Sequence, residues 1–115
     1  MTSEPASIRQ EDQLVCSVVQ RIAEAIRPEQ IILFGSRAKG TAGHESDIDL
    51  VVVYSGPKSK REIELDIYRL FRHPTFSLDV FIMTPQELDN TKQIANSLAR
   101  EAVENGVVCF DGSHI

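Results

Sequence analysis

Three aspartates carry the chemistry that this sequence can offer. Asp47 and Asp49 stand two residues apart at the head of an apolar run, DIDLVVVY, from Asp47 to Tyr54, and Asp79 interrupts a later run from Ser77 to Met83. Aspartate is depleted in strand interiors, and side chains two apart on a strand point to one face. Asp47 and Asp49 therefore form a paired oxygen site. Such a site suits a hard cation such as magnesium, which takes carboxylate oxygens and keeps positions for water and substrate phosphates. Asp79 completes the set if its strand lies beside the Asp47 strand with the aspartate faces turned the same way. Clustered carboxylates repel one another, and a divalent metal relieves that repulsion.

Upstream, the apolar run Ile31 to Phe34 ends in Gly35-Ser36, and ten residues separate this pair from Asp47. Glycine lets backbone N–H groups approach a phosphate closely, a helix start favours negative charge, and Ser36 adds a hydroxyl donor. Taken alone, Gly-Ser is common at turns. Followed by the carboxylates, it points to phosphoryl-type chemistry. One metal would grip a triphosphate, a second would lower the charge on an attacking hydroxyl, and Asp79 would accept its proton. Arg37 and Lys39 are within reach of the triphosphate, although basic residues beside a loop are usually solvated. His44, His73 and His114 lack clustered partners and read as loop histidines.

The elements that must position these residues follow from periodicity. From about Glu11 to Ile26, Leu14, Val18, Ile22 and Ile26 recur every four positions with Val15 and Val19 alongside, an amphipathic helix that Pro28 ends. Ile31 to Phe34 suits a strand covered on both faces. After it, Arg37 to Lys39 can form a helical turn and Gly40 to Gly43 a loop. On the next strand Asp47, Asp49, Val51 and Val53 share one face and Ile48, Leu50, Val52 and Tyr54 the other. Ile63, Ile67, Leu70 and Phe71 mark a second helix from about Ser59 to Arg72, closed by His73-Pro74. A crossover of this length supports adjacent parallel strands. Thr84-Pro85-Gln86-Glu87 is a capped helix start. Ile94, Leu98 and Ala102, with Ala95 and Val103, continue a helical stripe with a break near Asn90, stopped at Asn105-Gly106. Val107 to Phe110 adds a last short strand. The fold class expected is α/β (α+β), one domain with a mixed sheet of about 3–4 strands flanked by helices. Residues 1–10 are expected to be a flexible N-terminus and 11–112 the domain.

Composition narrows the functional classes. With 115 residues and 42% hydrophobic content, a chain of this size buries somewhat under about 70% of its unfolded surface. The net charge of -5 and pI near 5.1 provide no broad basic field, so direct binding to nucleic acid is not expected. Cys16 and Cys109 lack metal spacing and read as buried free thiols in a reducing compartment. No apolar run approaches the ~18 residues needed to span a bilayer, and no leader pattern opens the chain. A soluble, cytoplasmic protein without membrane contact is expected.

Gly35-Ser36, the ten-residue spacer, Asp47-Ile48-Asp49 and the later Asp79 together resemble the nucleotidyltransferase superfamily that includes DNA polymerase beta and the aminoglycoside nucleotidyltransferases. The motifs span Ile31 to Met83, and size and element order extend the resemblance to the whole chain. With no second substrate-binding domain expected, the chain is most similar to the minimal nucleotidyltransferases, many of them antitoxins encoded beside a HEPN-domain ribonuclease toxin. The resemblance implies that Gly35 and Ser36 hold the nucleotide phosphates and that Asp47, Asp49 and Asp79 form the catalytic, magnesium-binding triad, and Arg37, by its place beside them, is a further candidate for binding the nucleotide. It further implies transfer of AMP from ATP to a tyrosine of a HEPN-domain toxin, held in a hetero-oligomer. Two alternatives stand beside it: an antitoxin that neutralises by contact alone, and a small-molecule transferase of the antibiotic-modifying kind.

Overall fold

The computed structural model describes residues 13–35, 47–72, 76–95 and 97–112. Helix α1 (Gln13–Ile26) leads into β1 (Gln30–Phe34), and β2 (Ile48–Val53) connects through α2 (Lys60–Leu70) to β3 (Leu78–Met83). Two short helices follow, α3 (Pro85–Thr91) and α4 (Leu98–Asn105), before β4 (Val107–Asp111). The four strands form one mixed sheet in the order β3-β2-β1-β4. β1 is antiparallel to both its neighbours, whereas β2 and β3 are parallel, as the crossover through α2 requires.

Each face of the sheet has its own core. Ile31 and Leu33 of β1 and Ile48, Leu50 and Val52 of β2 pack with Val15, Val18, Val19 and Ile22 of α1 and Ile63 and Ile67 of α2. Ile32, Phe34, Val51 and Val53 face the opposite way, against Leu88 of α3 and Ala99 and Ala102 of α4. The two-face alternation expected for β2 is therefore present, and β1 is covered on both sides. Arg21 of α1 lies over the Phe71 ring at 4.9 Å, tying α1 to the end of α2.

The buried face of α1 centres on Val15, Val18, Val19 and Ile22, so Leu14 is left 37% exposed. Arg27 then takes a positive φ of 54° before Pro28 and ends the helix. α2 stops at Leu70, with Phe71 as its C-cap, and His73-Pro74 lies outside the described residues. The long stripe expected after Thr84 divides into two helices. Ser97 caps the second, accepting from the Arg100 N–H and donating to the Thr91 carbonyl. This division turns Ile94 and Val103 outward, 56% and 47% exposed, contrary to the expected stripe. Cys16 is exposed and Cys109 half-buried, a correction to the reading of both as buried thiols. They line a groove of about 360 Å³ between α1 and β4 with Val19, Ala23 and Phe110.

The helices beside β3 are fixed by capping boxes. Ser59 and Glu62 close the start of α2, and Thr84 and Glu87 close the start of α3. Glu87 also pairs with Lys60 at 2.6 Å, joining the two helix starts. Loss of a capping side chain typically costs about 1 kcal/mol. Thr84→Ala should accordingly lower the thermal midpoint by roughly 4 °C or more, as measured by circular dichroism, with the secondary-structure content retained.

Candidate active site

The sheet brings two of the three predicted carboxylates together. Asp49 of β2 and Asp79 of β3 are register partners across the parallel ladder, so their side chains rise from the same face side by side. A backbone hydrogen bond from Ile48 to the Ser77 carbonyl, 2.9 Å, locks this register at the mouth of both strands. Asp47 lies just before β2 and is exposed. It is near enough to act on Asp49 through charge. Among the described residues, however, no three histidine, cysteine or carboxylate side chains gather closely enough to hold a metal ion as a group. The close pair is Asp49 with Asp79, and Asp47 stands to one side.

Asp49 is the most constrained of the three. It is half-buried between the fully buried Ile48 and Leu50, and its register partner on β1 is Phe34. Burial raises the carboxyl above its ordinary value first. The charges of Asp79 and Asp47 raise it further, as does a hydrogen bond between Asp49 and Asp79. A raised carboxyl is the expected response to burial and like charge in a partly dry site.

Gly35 closes the site from the β1 side. Its φ is +82°, a left-handed conformation, and a Cβ placed on it would lie 2.6 Å from Asp49 Oδ2. Glycine is required here on both counts: by backbone conformation and by the approach of the carboxylate. Ser36 and Arg37, the other predicted nucleotide-binding residues, lie outside the described residues, as do Lys39 and His44.

One residue in this surface was not singled out by its type. Phe81 lies two residues beyond Asp79 on the same face, 40% exposed, with its ring 5.9 Å from that of Phe34. The aromatic pair walls the carboxylates on the side leading to the α3 and α4 core. The alternation that placed Phe81 with Asp79 was the available signal. A purely oxygen donor set of like charge suits a hard divalent cation, which binds through one or two carboxylates and leaves room for phosphate oxygens.

The fold is that of a nucleotidyltransferase domain. The nucleotidyltransferase domain family model matches residues 15–109, and the chain belongs to that family. A protein from Sulfolobus solfataricus assigned as a nucleotidyltransferase shares the fold with a TM-score of 0.56 and 24% identity, over 86% of this chain and 78% of that one. A toxin–antitoxin structure with AMP-PNP shares it with a TM-score of 0.55 and 19% identity, over 84% and 73%. No curated protein matches the chain in sequence.

Two stability predictions follow from the electrostatics and the glycine. A carboxyl whose folded pKa is raised holds its proton more tightly in the native state than in the unfolded chain. Its stabilising contribution is therefore lost as pH rises from the ordinary carboxylate range through the raised value. Asp49→Asn should raise the thermal midpoint at pH 7, and the gain over wild type should shrink as the pH is lowered through that window. Gly35→Ala should destabilise by at least about 1–2 kcal/mol from its left-handed φ alone, seen as a lower urea midpoint at unchanged m-value.

Proposed function

We propose that this protein is a magnesium-dependent antitoxin that transfers AMP from ATP to a tyrosine hydroxyl of a HEPN-domain ribonuclease toxin. The observation that carries the proposal is the Asp49–Asp79 pair, placed at one register on parallel strands and closed over by Gly35. Membership of the nucleotidyltransferase family supports the reaction class. Likeness in fold to a toxin–antitoxin structure with AMP-PNP supports the partner class and the nucleotide.

In this reading Asp47, Asp49 and Asp79 hold magnesium, Gly35 and Ser36 take the phosphates, and Arg37 lies along the triphosphate. The bound ion would supply charge neutralisation on the phosphates and acidify the attacking hydroxyl. The tyrosine oxygen bonds to the α-phosphorus, the bond to the bridging oxygen breaks and pyrophosphate leaves. Asp79, the most solvent-open of the strand carboxylates, receives the hydroxyl proton. Among the described residues no helix is long and apolar enough to cross a membrane, which is compatible with action in the cytoplasm. The net charge of -5 favours contact with a basic ribonuclease over contact with its RNA.

Incubation with ATP, magnesium and a HEPN-domain toxin should add the mass of AMP to the toxin, and Asp47→Ala should reduce the rate at least about 100-fold. No transfer by wild type, or undiminished transfer by Asp47→Ala, overturns the enzymatic reading. Toxin neutralisation that survives loss of both Asp47 and Asp49 would instead identify an antitoxin acting by contact alone.

A further inference from the structure

β3 is an edge strand, yet it carries Asp79, so one side of that residue's backbone has no neighbouring strand to hold it. The ladder to β2 runs along the other side, where the Ile48 and Tyr54 amides donate to the Ser77 and Met83 carbonyls. On the open side lie the carbonyl of Leu78 and the N–H of Val80, the two backbone groups that flank Asp79. Tyr68, near the end of α2, reaches both. Its hydroxyl donates to the Leu78 carbonyl at 3.3 Å and accepts from the Val80 N–H at 3.2 Å.

We infer that Tyr68 is a positioning residue for the candidate active site, its hydroxyl standing in for the missing strand and pinning the backbone of Asp79. The two hydrogen bonds close a ring that contains both torsions of Asp79, so the direction of its carboxylate toward Asp49 is set from behind. A single hydroxyl does this because in an extended chain the carbonyl of residue i−1 and the amide of residue i+1 point the same way. Tyr68 is itself held by a helix whose start is fixed twice, by the Ser59–Glu62 capping box and by the Lys60–Glu87 pair. With Tyr68 39% exposed, the hydrogen bonds compete with water and add little to global stability. Their effect is therefore on geometry more than on folding. This inference rests on the reading of Asp79 as a metal-binding carboxylate but not on the identity of the acceptor.

The test is Tyr68→Phe, which keeps the ring and removes only the hydroxyl, with Tyr54→Phe as control. The Tyr54 hydroxyl accepts from the Lys58 amide in the loop after β2, away from the carboxylates. Manganese affinity is measured by titration in the absence of nucleotide, and exchange of the Val80 amide by NMR. Tyr68→Phe should weaken manganese binding by roughly 10-fold, the lower end of what outer-shell positioning groups contribute, and speed Val80 exchange. Its thermal midpoint should stay near that of wild type, and Tyr54→Phe should leave manganese affinity unchanged. Where AMP transfer is observed, kcat should fall while KM for ATP holds. Unchanged manganese affinity in Tyr68→Phe overturns the inference, and if that variant also self-associates, the hydroxyl guards the sheet edge instead. A wild-type protein that binds no manganese overturns it as well. Absence of AMP transfer with the manganese difference intact would refute the proposed function and leave this inference standing.

Discussion

Two carboxylates at the same register on neighbouring parallel strands are the constraint around which this molecule is built. A parallel ladder places equivalent residues side by side on one face, so Asp49 and Asp79 cannot avoid each other. Burial first, and then the proximity of Asp79, raises the Asp49 carboxyl and makes the site unfavourable to folding at neutral pH. Gly35 tightens the constraint, since its missing side chain is what allows the Asp49 carboxylate to sit against the turn leaving β1. A site of this kind gains from a cation and from phosphate oxygens arriving together, each offsetting the charge of the other.

Such a site can persist only if the surrounding structure is over-determined. β1 and β2 are buried on both faces, with Ile31, Ile48, Leu50, Val51 and Val52 all at 0% exposure. Each fully buried aliphatic side chain contributes on the order of 1.5–3 kcal/mol, enough for several together to outweigh a like-charge contact at a partly wet strand end. The burden falls unevenly. β2 is central and locked from both sides, whereas β3 has a neighbour on one side only, so the half of the site on β3 depends on α2 and on the caps that fix it.

Much of this was legible in the sequence because the strands announce themselves by alternation. The period of two separated Asp49, Val51 and Val53 from Leu50 and Val52, and the helix between the aspartate runs implied a parallel pair. Thr84 to Glu87 specified its capping box by residue type alone. What escaped was information that lives in tertiary placement. Ile94 and Val103 fit a helical period but face outward, because the chain turns between Thr91 and Ser97. Cys16 follows Val15 on α1 but points off the buried face, since the helix stripe is narrower than its apolar content. Nor does any local pattern reveal that β1 is antiparallel to both neighbours, or that Tyr68 reaches an edge strand ten residues or more further on.

The face that carries the carboxylates is divided along its length, and the division explains how one small sheet can be both stable and reactive. At one end Ile32, Val51 and Val53 pack under α3 and α4. At the other, Asp49 and Asp79 rise where those helices no longer cover the strands, with Phe34 and Phe81 marking the boundary. Phe34 is buried and faces the core, while Phe81 is partly open to solvent. The aromatic pair therefore lies between the apolar half and the acidic half of this face. The capped starts of α2 and α3, fixed to each other through Lys60 and Glu87, follow the far ends of β2 and β3 and steady the strands that carry the aspartates.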